Sequence, residues 1–193
     1  MTAGLSTPLI EPVIRHEAWW WAAEDGPAPT VPGFVLSSFN PLVAAVAERC
    51  LTEHYAKPPQ PPSDRERTGI VLATRAGDRV SAEHVRQTVE AGGRLGPLLF
   101  FQSVPNSILG YLAARWGLAG PIVCISAAAD PVAEGVAEAG VLMADGDADE
   151  VLLIVAEQVA GDPQLDCAHA LLLGWPAESL ASSRFALFSK EMA

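Results

Sequence analysis

Cysteine is scarce in this chain, with Cys50, Cys124 and Cys167 the only three in 193 residues. An odd number without C-x-x-C spacing makes neither a disulfide framework nor a zinc site, so the three read as reduced, packed thiols. Bases are scarce too: 12 Lys and Arg face 23 Asp and Glu, a formal net charge of −11. Nucleic acids and anionic membranes both require a basic footprint, which excludes them as partners. No uncharged apolar run reaches the roughly 18 residues of a spanning helix. The opening stretch MTAGLSTPLIEPVIRHEAWWW lacks the basic-then-apolar order of a signal peptide, and the expected location is the cytoplasm. G-x-S-x-G, P-loop and H-E-x-x-H patterns are missing as well. No metal and no cofactor is expected.

What is present alternates in type along the chain. Residues 1–35 read as an irregular segment, interrupted by Pro27, Pro29 and Pro32. Trp19, Trp20 and Trp21 cannot share one helix face, because neighbours there differ by about 100°. From Asn40, a cap with Pro41 behind it, Leu42, Val46 and Cys50 recur along one side of a helix. KPPQPPSD (57–64) closes it as a proline-rich connection. GIVLAT (69–74) reads as a strand covered on both faces. A helix capped by Ser81 is expected to bury Val85 and Val89 and stop at Gly92-Gly93. Another follows Pro105-Asn106, with Ile108, Leu112 and Trp116 inward and Gly117 at its end. Then come the strand PIVCIS (121–126) and a helix capped by Asp130 whose Val132, Val136, Ala139 and Met143 face inward. VLLIVA (151–156) and HALLLG (169–174) are two more buried strands. The class is α/β, a mixed or parallel sheet with helices on its faces.

RTGIVLATRAG (67–77), VPNSILGYLAARWGLAGP (104–121), CISAAAD (124–130), DGDADEVLLIVAE (145–157) and CAHALLLG (167–174) together resemble the N-terminal half of β-ketoacyl synthases, half of a thiolase-like fold. The resemblance covers residues 36–174 and sets a ketosynthase N-terminal-like domain over 36–193. It pairs the family's nucleophile turn, Ser-Thr-Ala-Cys-Ala, with Ser126, Ala127, Ala128, Ala129 and Asp130. The nucleophile position is thus Ala129, with Ser126, Asp130 and Asn106 near it. Helix-end amides lower a thiol's pKa there, but a methyl group has no lone pair to attack a thioester. The family's second half, with its two catalytic histidines, has no counterpart before Ala193. The resemblance therefore implies a chain without condensing activity, similar to chain-length-factor subunits.

Other nucleophiles are weak. Cys124 lies five residues before Ala129 and is expected to point into the sheet. Cys167 and His169 share a strand face as a packed thiol and a hydrogen-bonded histidine, Ser103 and Ser107 read as turn residues, and His16, His54 and His84 lack recognisable partners. The implied role is that of an accessory subunit in fatty-acid-like or type II polyketide biosynthesis, acting on a full-length ketosynthase or an acyl carrier protein. The alternative is a self-associating protein that binds an acyl or phosphopantetheine ligand. Charge is uneven: six of the 12 bases (Arg65, Arg67, Arg75, Arg79, Arg86, Arg94) lie between 65 and 94, whereas residues 126–193 hold 12 acids and two bases. Those arginines are the expected contacts for an acidic carrier protein. By the resemblance, Ile122, Val123, Cys124 and Ile125 form the dimer seam.

Overall fold

The computed structural model describes residues 11–59, 67–159 and 161–176; Arg65 lies outside them. A five-stranded mixed sheet has the order β1-β5-β4-β2-β3. Its strands are β1 (Val13–Trp21), β2 (Thr68–Thr74), β3 (Ile122–Ser126), β4 (Glu150–Glu157) and β5 (Cys167–Gly174). β4, β2 and β3 run parallel; β5 is antiparallel to β4, and β1 is antiparallel to β5. Period-two alternation sends Ile70, Leu72, Leu152, Ile154, Ala170 and Leu172 to one face. Val71, Ala73, Val151, Leu153, Leu171 and Leu173 face the other. Covering both faces is what turns β2, β4 and β5 into continuous apolar runs rather than alternating ones.

Two long helices cover the first face. α2 (Phe39–Tyr55) follows the short α1 (Ala22–Asp25), and α5 (Pro105–Trp116) ends at Gly117 in the left-handed region, φ 71°. Leu42, Val46 and Cys50 of α2 and Ile108, Leu112 and Trp116 of α5 are buried, as their spacing predicts. α6 (Pro131–Ala144) covers the second face and opens at Asp130, as expected. Its close seat on β4 depends on Gly135, where a Cβ would overlap the Leu153 side chain.

Three local expectations are corrected. α2 starts one residue before Asn40; that side chain is buried and donates from Nδ2 to the Gln102 carbonyl at 2.8 Å instead of capping. α3 (Arg79–Glu90) is capped by Asp78, whose carboxylate accepts from the Ser81 amide, and Val89 is 60% exposed because α3 lies off the sheet. A further helix, α4 (Pro97–Ser103), precedes α5.

The expectation of an irregular segment over 1–35 is also corrected, for residues 13–21. They form β1, the outer strand beside β5, pairing from Val13↔Gly174 to Trp21↔Cys167. On a strand the tryptophans alternate: Trp20 packs with Ala18 toward α2, while Trp19 stacks on His169 with ring centroids 3.6 Å apart.

At the start of the parallel strands, buried Glu150 joins four elements. Its carboxylate accepts from Tyr55 Oη of α2, from Thr68 Oγ1 of β2 at 2.7 Å and from Arg15 Nη1 of β1 at 3.1 Å. His54 Nε2 lies 4.0 Å away and its ring meets His16 edge-on at 4.8 Å. Two histidines without recognisable partners in the sequence thus meet at this junction.

Candidate functional site

The turn from β3 into α6 lies at the opposite end of the sheet, beyond the carboxyl ends of the parallel strands, where open α/β sheets place their ligands. Thr74 at the end of β2 holds the turn through its carbonyl, which accepts from the Ala127 amide at 2.9 Å. Asp130 then accepts from the amides of Val132 (3.0 Å) and Ala133 (3.2 Å), with Pro131 fixing the first helical φ. Ala129 is exposed at the tip, and Arg75 Nη2 donates to its carbonyl at 3.2 Å.

Three more amides of the turn converge on one side chain. Glu134 Oε1 accepts from Ala129 (2.9 Å), Ala128 (3.1 Å) and Asp130 (3.3 Å), and its Oε2 accepts from Ala128 at 3.2 Å. The amide of Ala129, then that of Ala128, holds the Glu134 carboxyl below its ordinary 4.5. Sequence reasoning missed this residue. The available signal was an acid in the first turn after an Asp cap, one place beyond the usual capping-box spacing.

The other expected site residues are only partly brought together. Asn106, in the first turn of α5, accepts from Cys124 Sγ at 2.9 Å instead of facing Ala129. Ser126 is exposed at the end of β3. Cys124 faces α5 beside Leu72 rather than the turn, as expected, but it is exposed and not packed away, because β3 is an edge strand and nothing in the sheet flanks its outer side. Desolvation beside α5 pushes its thiol up to about 11, an unreactive value. Cys50 is buried and pushed up to about 12, and burial raises Cys167 too.

His169 fits the hydrogen-bonded reading, with Nε2 3.4 Å from Glu17 Oε2. Burial holds its pKa below the ordinary 6.5, although Glu17 acts the other way. Ser103 donates to the Leu99 carbonyl within α4.

The arginines do not form one patch. Arg67 and Arg75 flank the two ends of β2, about 25 Å apart at strand rise. Arg67 pairs with Asp149 at 3.6 Å, and Arg86 sits between Glu83 and Glu90. Arg79 and Arg94 make no ion pair among the described residues. An open groove of about 1040 Å³ includes Leu36, Arg79, Val80, His84, Gln158 and Val159 in its lining. Ser126, Ala129 and Asn106 are not part of it. No group of three or more His, Cys, Asp or Glu among the described residues could hold a metal ion, and no helix there is long and apolar enough to cross a membrane.

A family model of the beta-ketoacyl synthase N-terminal domain matches residues 36–177. The chain belongs to that family. No curated protein matches the chain in sequence. Among solved structures, this ketosynthase-type half resembles a chain from a ketosynthase in complex with its chain length factor from Xenorhabdus doucetiae. There the identity is 21% and the TM-score 0.65, over 87% of this chain and 80% of that one. The ishigamide ketosynthase/chain length factor gives 18% and 0.65 over 87% and 63%. A type II polyketide acyl-carrier protein in complex with its ketosynthase, bound to the hexaketide, gives 12% and 0.66 over 90% and 65%. The chain thus spans less than two thirds of the last two. These likenesses show the thiolase-like fold, a mixed five-stranded sheet between helices, as the residues implied.

Proposed function

We propose that the protein is a non-catalytic, ketosynthase-like accessory subunit that pairs with a full-length ketosynthase through β3 in fatty-acid-like or type II polyketide biosynthesis. The observation that carries this is the edge itself. Ile122, Val123, Cys124 and Ile125 are uncharged, paired only with β2 among the described residues, and only partly covered. A bare strand edge is a template for another strand. The methyl at Ala129 removes any group at the tip able to attack a thioester.

Two of the similar structures pair a ketosynthase with a chain length factor, which supports a partner of that class. A third is a carrier protein in complex with its ketosynthase. Arg75, Arg79, Arg86 and Arg94 are the described arginines proposed to meet an acidic carrier protein; Arg67, at the other end of β2, and Arg65 complete the set expected from the sequence. Between Glu83 and Glu90, Arg86 contributes least, because its charge is already balanced.

Co-expression with a full-length ketosynthase of the same pathway tests the reading. A 1:1 complex that survives size-exclusion chromatography is expected, and separate elution of the two proteins refutes it. The same edge favours a second reading, because an uncharged strand can pair antiparallel with its own copy. In that case the protein alone sediments as a dimer and takes up an acyl-pantetheine probe.

A further inference from the structure

We propose that Glu134 closes the β3–α6 turn as a built-in anion, so that this turn is disabled twice: once by the methyl of Ala129 and again by the carboxylate beside it. This rests on the non-catalytic reading and deepens it. A strand-to-helix turn activates a nucleophile or steadies an oxyanion through amide groups that have no other partner and through the positive end of the helix dipole. Here the amides of Ala128, Ala129 and Asp130 are all donated to Glu134, at 2.9–3.3 Å. Those of Val132 and Ala133 go to Asp130. Five consecutive non-proline donors are therefore spent on two carboxylates of this chain.

The two acids also place negative charge where a thiolate or an oxyanion would develop. Arg75 brings one positive charge to the Ala129 carbonyl, but it donates there and frees none of the turn's amides. Restoring a thiol alone would consequently not restore its reactivity. Asp130 caps the helix ordinarily; Glu134 is the residue that reaches back over the tip, and it is the one to remove.

The experiment is the pH dependence of iodoacetamide alkylation at the introduced thiol. Mass spectrometry of the peptides separates that site from Cys50, Cys124 and Cys167. Ala129→Cys alone is expected to titrate at or above an ordinary free thiol, about 8.5. Adding Glu134→Ala frees three amides and removes a charge, so the midpoint falls and alkylation at pH 7 rises about tenfold.

Should that variant fail to fold by circular dichroism, Glu134→Gln keeps the length and an acceptor oxygen, removes only the charge, and gives a smaller fall. A downward shift in either double variant supports the proposal. Coincident midpoints in Ala129→Cys and its folded double variants overturn it. A helix cap with a merely structural role would alter melting temperature without moving the thiol's midpoint. Failure of the partner reading shows instead in the unmodified chain, as no complex with a ketosynthase, and leaves these profiles unchanged.

Discussion

The two edges of the sheet are guarded very differently. β1 carries Arg15, His16 and Glu17, and side chains cap its backbone: Arg49 donates to the Trp19 carbonyl and Asp25 accepts from the Trp21 amide at 3.0 Å. The Arg49 guanidinium also lies 4.5 Å over the Trp20 ring and bonds Asp25 at 2.9 Å. β3 has no charged residue, and among the described residues no side chain hydrogen-bonds its backbone. Charges and capped backbone are how proteins protect an edge from pairing. One edge is closed by the chain itself; the other is bare among the described residues, and it is the edge that the proposed function gives to a partner.

The largest expected effect breaks this contrast. Cys124→Lys puts a charge on the open edge at an exposed position. It should weaken the complex with a ketosynthase about a hundredfold, near 2.8 kcal/mol, while the melting curve barely moves; calorimetric titration checks both. Arg15→Ala acts at the other edge. It leaves the buried Glu150 carboxylate without its cation and should cost about 2 kcal/mol in urea unfolding, because uncompensated buried charge is expensive. Partner affinity should not change.

Arg49→Ala is milder. The pair is partly exposed, so a smaller loss than that of Arg15→Ala is expected in the same assay, with loss of protection at the Trp19 and Trp21 strand by hydrogen exchange.

The smallest effects are in pH dependence and oppose one another. Glu134, held below its ordinary 4.5, contributes stability that is present above that value and lost as the pH falls through the lower folded one. Glu150 is raised by burial against the pull of Arg15, so its ionisation removes stability as the pH climbs from 4.5 through its folded value. Glu134→Gln should flatten the acid limb of a melting-temperature profile, and Glu150→Gln the limb above pH 4.5.

The contrast between edges also marks what the sequence could convey. β2, β4 and β5 were legible as apolar runs because both their faces are covered, and α5 and α6 through Pro105, Gly117 and Asp130 at their ends. β1 was not, because an outer strand carries charges and a tryptophan run that no burial pattern forces inward. For Cys124 it was the exposure that was misjudged and not the face, because only the sheet order shows that β3 is terminal. At the site, the resemblance alone sets Ala129 where the family's nucleophile is expected, and that placement enters the proposed function as a proposal. Glu134 could not, because its hold on Ala128 and Ala129 depends on the chain folding back over the turn. Arg67 and Arg75, near neighbours in sequence, are separated by the length of a strand.

The most direct measurement is cross-linking across β3. Val123→Cys can be paired with single cysteines placed along the corresponding edge strand of a full-length ketosynthase, under mild oxidation. Disulfides that form at one antiparallel register, in a 1:1 complex and without acyl transfer to this chain, are the expected result. A complex that forms while β3 stays uncross-linked at every register, or an acyl group covalently attached to this chain, would contradict it.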